Sequence, residues 1–160
     1  MERNTLISVV LCFIMIMITF EAHAEEWVKM DFDIPNQNLE ANFYDSDSVK
    51  GHNKTLSWTE KYVLTSFGEK NYTKHLSQYP ECRKNIKQLG NVTYHKMDFE
   101  IKEGKFRLVA KRNFNKANQM VCTDKEMGTE FDKSWKEVEP KSPMSERYYI
   151  FVSKYKLGNI

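Results

Sequence analysis

The chain has almost no net charge, little cysteine and no apolar run long enough to cross a bilayer. Its 24 basic and 22 acidic side chains leave +2 over 160 residues. So small an excess argues against a nucleic-acid partner and against strong attraction to a membrane surface. The longest apolar run, residues 6–20, falls short of the roughly 20 residues that a membrane helix needs. There is no G-x-S-x-G, and no S-x-x-K of the kind that opens a hydrolase helix. With no nucleophile paired to a base, the expectation is a protein that is not an enzyme. The histidines beyond residue 24, His52, His75 and His95, form no H-x-x-x-H pair, so no zinc site is expected. Asp45-x-Asp47 opens like a calcium loop. Val49 and Lys50 then stand where the next oxygen ligand and the turn glycine belong, and turn capping is the better reading. No cofactor, internal repeat or low-complexity tract is legible.

What is present begins with an export signal. Arg3 and the terminal amine precede the apolar run, and Ala22-His23-Ala24 supplies small residues where signal peptidase reads. Cleavage is expected between Ala24 and Glu25, so residues 1–24 are removed and 25–160 form one domain with no transmembrane segment. The destination is the periplasm or the medium, with surface display also open. Of the three cysteines, Cys12 leaves with the signal. Cys82 and Cys122 are expected to pair in an oxidising compartment, the alternative being two separate thiols. Closing a loop of about 40 residues stabilises the fold by roughly 4 kcal/mol in the chain-entropy account.

The pattern after the signal is that of an α+β domain. Leu56, Trp58, Tyr62 and Leu64 fall on one face of a strand, and Thr55, Ser57, Thr59 and Lys61 on the other, joined by Val63. Gly51 and Asn53 mark a reversal before it. Residues 27–34 alternate, with Val28, Met30, Phe32 and Ile34 facing the core. Residues 35–38 turn, and 39–44 extend again. Residues 66–91 read as a long polar excursion with one short helix over 80–89, opened by Pro80 and stopped by Gly90. Residues 92–101 and 105–113 form a hairpin through Gly104. Phe106, Leu108 and Ala110 should share its inner face, with Arg107, Val109 and Lys111 on a wet one. Residues 115–128 read as a loop holding Cys122, and 135–138 as a short strand. Ser142 and Pro143 open a last helix, whose stripe of Met144, Tyr148, Phe151, Val152 and Tyr155 must bury itself on the sheet. Gly158 stops it. The expectation is a single antiparallel β-sheet of about five or six strands with a C-terminal α-helix packed on one face.

Several short motifs occur in a recognisable order: Trp27-Val28, Tyr44-Asp45 with Ser48-Val49, Trp58, then Trp135, Val138, Pro140 and Ser142 leading into an aromatic helix. In this order the chain resembles the surface-adhesin protein E-like domains, small exported proteins of Gram-negative bacteria. The resemblance covers residues 27–155 and implies an antiparallel sheet with a helix on its concave face. It also implies binding to host matrix or envelope proteins. The bridge that ties strand to helix in that family has no counterpart here: Glu100 stands near the strand position, and the helix has no cysteine. Helix docking is therefore expected to rest on the apolar stripe alone.

The leading expectation is thus an exported, non-enzymatic binding module. Its contacts would be the bare sheet face or the segment 66–91. Two basic groups, Arg83-Lys84-Lys87 and Lys111-Arg112, are candidates for an anionic partner, against the plainer reading of a solvated surface. The alternatives are a periplasmic small-ligand carrier, with a pocket beneath Tyr148, Phe151 and Tyr155, and a structural envelope protein. Three N-x-T sequons, at Asn53, Asn71 and Asn91, would carry glycans in a eukaryotic host.

Overall fold

A computed structural model describes residues 25–30, 37–128 and 132–155. The signal segment with Ala24, residues 31–34 of the first expected strand, and the stop at Gly158 lie outside the described residues. The sheet follows the path β1 (Trp27–Lys29), β2 (Leu39–Asp45), β4 (Thr55–Leu64), β5 (Tyr94–Lys102), β6 (Lys105–Phe114) and β7 (Met120–Thr123). Two short strands extend it, β3 (Lys50–His52) on β4 and β8 (Lys136–Glu137) on β6. Every pairing is antiparallel. The expected α+β class, with its open antiparallel sheet and C-terminal helix, is what the chain adopts.

The two two-residue hairpin turns, β3 to β4 and β5 to β6, use positive φ at both central residues. Asn53 and Lys54 lie at 47° and 60°, and Glu103 and Gly104 at 51° and 75°. Such turns match the right-handed twist of the strands they join. Asp45 caps the turn that follows β2. Its carboxylate accepts from the Asp47 N–H at 3.2 Å, and its carbonyl from the Ser48 hydroxyl at 2.7 Å.

The excursion is more ordered than its composition suggests. It forms two helices, α1 (Ser66–Leu76) and α2 (Pro80–Leu89). The Thr65 hydroxyl caps α1 by accepting from the Gly68 N–H at 3.1 Å. Gly68 sits so close to the turn before β2 that a Cβ there would lie 2.0 Å from the Asn38 carbonyl oxygen. The first helix was invisible in the sequence because only Gly68, Thr73 and Leu76 along it are buried. That is too weak a stripe to register as helical period.

Cys122 does not lie in a loop either. It is in β7, ahead of the short α3 (Asp124–Met127), and Cys82 is in α2. The two are disulfide-bonded with Cα atoms 5.1 Å apart, so the bond clamps α2 to the edge of the sheet. A tryptic digest without reductant is expected to release one linked peptide pair carrying Cys82 and Cys122, which reduction separates.

The final helix, α4 (Pro143–Tyr155), is capped by the Ser142 hydroxyl, which accepts from the Ser145 N–H at 3.2 Å. It drives Phe151 between Tyr44 and Trp58, with ring centroids 4.9 and 5.2 Å away, and Phe99 stacks on the far side of Trp58. A second core, with Leu64, Leu76, Val92 and Val121 around the disulfide, holds α1 and α2 at the other end of the same sheet face. The opposite face carries no helix among the described residues. None of the helices is long and apolar enough to cross a membrane.

One irregularity in β6 redirects its side chains. Phe99 pairs with Leu108 but Asp98 pairs with Ala110, so Val109 is an extra residue. Such a bulge reverses the alternation beyond it. Phe106 and Leu108 face the helices as expected. Past the bulge Lys111 pairs with Met97 and turns inward, and Ala110 turns outward. The wet position expected for Lys111 is therefore corrected: it belongs to the helix-covered face.

Candidate functional site

The inner face of β4 is not purely apolar. Glu60 lies between Trp58 and Tyr62 in the inward register and is fully buried. It is held from four sides. Trp58 Nε1–H donates to Oε1 at 2.7 Å, the Tyr62 hydroxyl donates to Oε2, and the Asn42 amide reaches Oε2 at 3.5 Å. From α4, Arg147 Nε donates to Oε1 at 2.5 Å. Arg147 is itself only 4 % exposed, so this ion pair runs from the middle of the sheet to the docked helix. Helix docking does not rest on the apolar stripe alone, as the sequence had suggested. Sequence reading missed Glu60 by stepping from Trp58 to Tyr62. The charged residue at the inward period, with an arginine inside the apolar stripe of the last helix, was the available signal.

Tyr62 links this network to a second region. Burial and the neighbouring Glu60 carboxylate push its phenol well above the ordinary range, so it stays neutral and donates to Glu60. Its ring stacks on His95 at 5.1 Å. His95 meets Tyr72 of α1 at 5.2 Å, and Tyr72 meets His75 at 6.3 Å. These rings line a cleft of about 440 Å³ between α1 and the sheet, together with Leu39, Leu64, Met97 and Lys111. The volume lies within the usual range of small-molecule sites.

Two buried polar atoms of this cleft lack the partners that burial normally demands. His95 is 6 % exposed, and its Nδ1 has no hydrogen-bond partner among the described residues. The same holds for the buried hydroxyl of Tyr72. The Lys111 ammonium sits 4.6 Å from the centre of the Tyr72 ring and makes no ion pair among the described residues. Burial lowers its pKa to about 8, which still leaves it mostly cationic at neutral pH. Burial, reinforced by Lys111, pushes His95 well below its ordinary value and keeps it neutral. Burial also raises the Tyr72 phenol. The cleft thus offers one cation, one unpaired hydroxyl and one neutral imidazole against aromatic and aliphatic walls, with Asn38, Asn71 and His75 also in its lining. No carboxylate lines it among the described residues.

The other expected sites are dispersed. Arg83, Lys84 and Lys87 lie exposed on α2. Arg112 leaves the sheet on the opposite face from Lys111 and pairs with Asp98, so those two neighbours do not form one basic patch. Of the described histidines, His52 and His75 are exposed and only His95 is buried. Glu126 approaches Cys82 and Cys122, but both sulfurs are already bonded to each other. Tyr44 and Trp58 fill the space against Phe151 itself, while a hollow of about 380 Å³ lies beside Ile101, Val138 and Tyr148 of α4, and a larger one lies under α1. A smaller hollow of about 290 Å³ flanks Phe151 beside Met30 and Lys154.

The bare sheet face has a character of its own. Lys61 and Lys96 lie over the Trp27 ring at 5.5 and 5.1 Å, and Lys61 lies over Tyr94 at 4.5 Å. Glu25, the expected first residue after cleavage, pairs with Lys96 at 2.6 Å. Comparison with protein-family models, with curated proteins and with solved structures returns no match to this chain.

Proposed function

We propose that the chain is an exported binding protein that holds a small organic ligand in the cleft between α1 and the sheet. The observation that carries this reading is the convergence on one hollow of Lys111, which makes no ion pair among the described residues, with the buried Tyr72 hydroxyl and the buried His95 Nδ1, neither of which has a hydrogen-bond partner there. Buried polar groups left unpaired cost about 1–3 kcal/mol each, and a ligand that pairs them recovers that cost. The groups sit on the sheet and on α1, whose Leu76 packs into the core around the disulfide, so the hollow is largely pre-formed. The reading is binding rather than chemistry because no carboxylate among the described residues lines the cleft to relay a proton from Lys111 or His95. The Cys82–Cys122 bond and the export signal read from residues 1–24 fit a protein that works in an oxidising compartment.

The test is a fragment screen of mixed charge followed by nuclear magnetic resonance of the isotope-labelled protein. Binding is expected to move the signals of Tyr72, His95, Met97 and Lys111 together, and Met97→Trp, which fills the cleft, is expected to abolish the response while circular dichroism stays unchanged. A screen in which no fragment moves these four residues overturns the reading.

A second reading, engagement of a host matrix or envelope macromolecule in the manner the adhesin resemblance implies, is favoured by the uncovered sheet face. There Trp27, Tyr94, Lys61 and Lys96 present rings and ammonium groups side by side. Retention on immobilised matrix protein that Lys61→Glu abolishes would support it.

A further inference from the structure

Resting on the small-ligand reading of the cleft, we infer that its ligand is an organic carboxylate with an apolar, preferably aromatic body, whose head pairs with Lys111 and accepts from the Tyr72 hydroxyl. Four features of the site lead there. The only cationic side chain of the cleft turned inward by the sheet is Lys111, placed there by the Val109 bulge and given no acid among the described residues. A buried ammonium without a counter-charge is unfavourable, and an anion brought by the ligand relieves it. A cationic or neutral ligand would leave Lys111 as it is.

The second feature is the number of donors. One ammonium and one phenol suit a singly charged, flat head. Phosphoryl groups, with three oxygens and nearly two charges, are normally met by an arginine fork or a row of backbone N–H groups. No arginine is among the described residues that line this cleft. The third is the unpartnered Nδ1 of His95, 6 % exposed and lining the hollow. With the ring neutral, Nδ1 donates to a second oxygen or accepts from a hydroxyl according to its tautomer. The fourth is the wall. Tyr62, His95 and Tyr72 present three rings in succession at 5.1 and 5.2 Å, with Leu39, Leu64 and Met97 opposite them in composition. An aromatic body stacks there and adds ring contacts to the area it buries.

The experiment compares phenylacetate and 3-phenylpropionate with phenylacetamide and phenethylamine by titration calorimetry on the full domain, at one pH near 7 and low salt. The carboxylates are expected to bind at least tenfold more tightly than the isosteric amide, and the amine to bind most weakly. In Lys111→Met the ratio of carboxylate to amide is expected to fall close to one, and in Tyr72→Phe to fall by several-fold. Lys111→Arg, which keeps the charge, should retain most of the preference. An amide or amine that binds as tightly as the acid overturns this inference while leaving the small-ligand reading intact. Carboxylate preference that survives in Lys111→Met overturns it as well. If no compound of any charge binds, both readings fall together.

Discussion

Replacing Glu60 by alanine is expected to cost about 3–5 kcal/mol of stability and to loosen α4 from the sheet. The magnitude follows from what is left behind. Glu60 has no solvent exposure, and Arg147 has 4 %, so removing the carboxylate strands a guanidinium in an apolar interface. The Trp58 N–H and the Tyr62 hydroxyl lose their acceptor at the same time. Urea denaturation should show a lower midpoint, and near-ultraviolet circular dichroism should report weakened packing of Trp58 against Phe151. Arg147→Ala is expected to be comparably damaging, since it leaves the carboxylate uncompensated. The double variant Glu60→Leu, Arg147→Met should recover much of the loss, because replacing both members of a buried pair by apolar groups is often close to neutral. If the single and double variants are equally unstable, the cost lies in packing and not in the ion pair. A Glu60→Ala protein as stable as the parent would mean that the pair is open to water.

How far the sequence discloses this molecule depends on the kind of signal. Period-two alternation in β4 and β5 and the capped stripe of α4 are strong local patterns, and all three elements form where expected. The buried pair escaped for the same reason that the strand was legible. An apolar template fits Leu56, Trp58, Tyr62 and Leu64 well enough that a single charge at position 60 reads as tolerated, while its partner lies 87 residues away on another element. Helix α1 escaped because tertiary contact selects it: Thr65 caps it and Gly68 lets it close on Asn38. The orientation of Lys111 depends on one extra residue in β6, and nothing in KFRLVAKRN marks where a bulge falls. The cleft therefore could not be read in advance. Its walls are a helix without a hydrophobic signature and a lysine on the unexpected side of its strand. The disulfide was legible from compartment and count, though not the elements it joins.

Replacing Lys111 by methionine is expected to make the protein more stable by about 2–3 kcal/mol near pH 7 while removing its preference for carboxylate ligands. The stability gain follows from the direction of the pKa shift. Burial lowers Lys111 from 10.5 to about 8, so folding disfavours the charged form. Below about pH 8 both the folded and the unfolded chain carry the proton, and the folded state bears the full desolvation cost. Between about 8 and 10.5 the folded chain releases the proton while the unfolded chain still holds it. The parent then gains stability with rising pH. Above 10.5 neither state is charged and the cost is gone. The other titratable side chains lining the cleft are Tyr62 of β4, His95 of β5, and Tyr72 and His75 of α1. Both tyrosines are raised by burial and His95 is already neutral, so those three do not change charge between pH 7 and 10. Exposed His75 is common to the parent and the variant. The gap in urea midpoint between Lys111→Met and the parent is therefore expected to be largest near pH 7 and to close toward pH 10.5. A gap that does not change with pH would assign the gain to packing alone. A variant less stable than the parent at pH 7 would mean that the ammonium reaches water or an acid. A stabilising loss of a buried charge, coupled to lost ligand discrimination, is the behaviour of a group kept for binding at the expense of the fold.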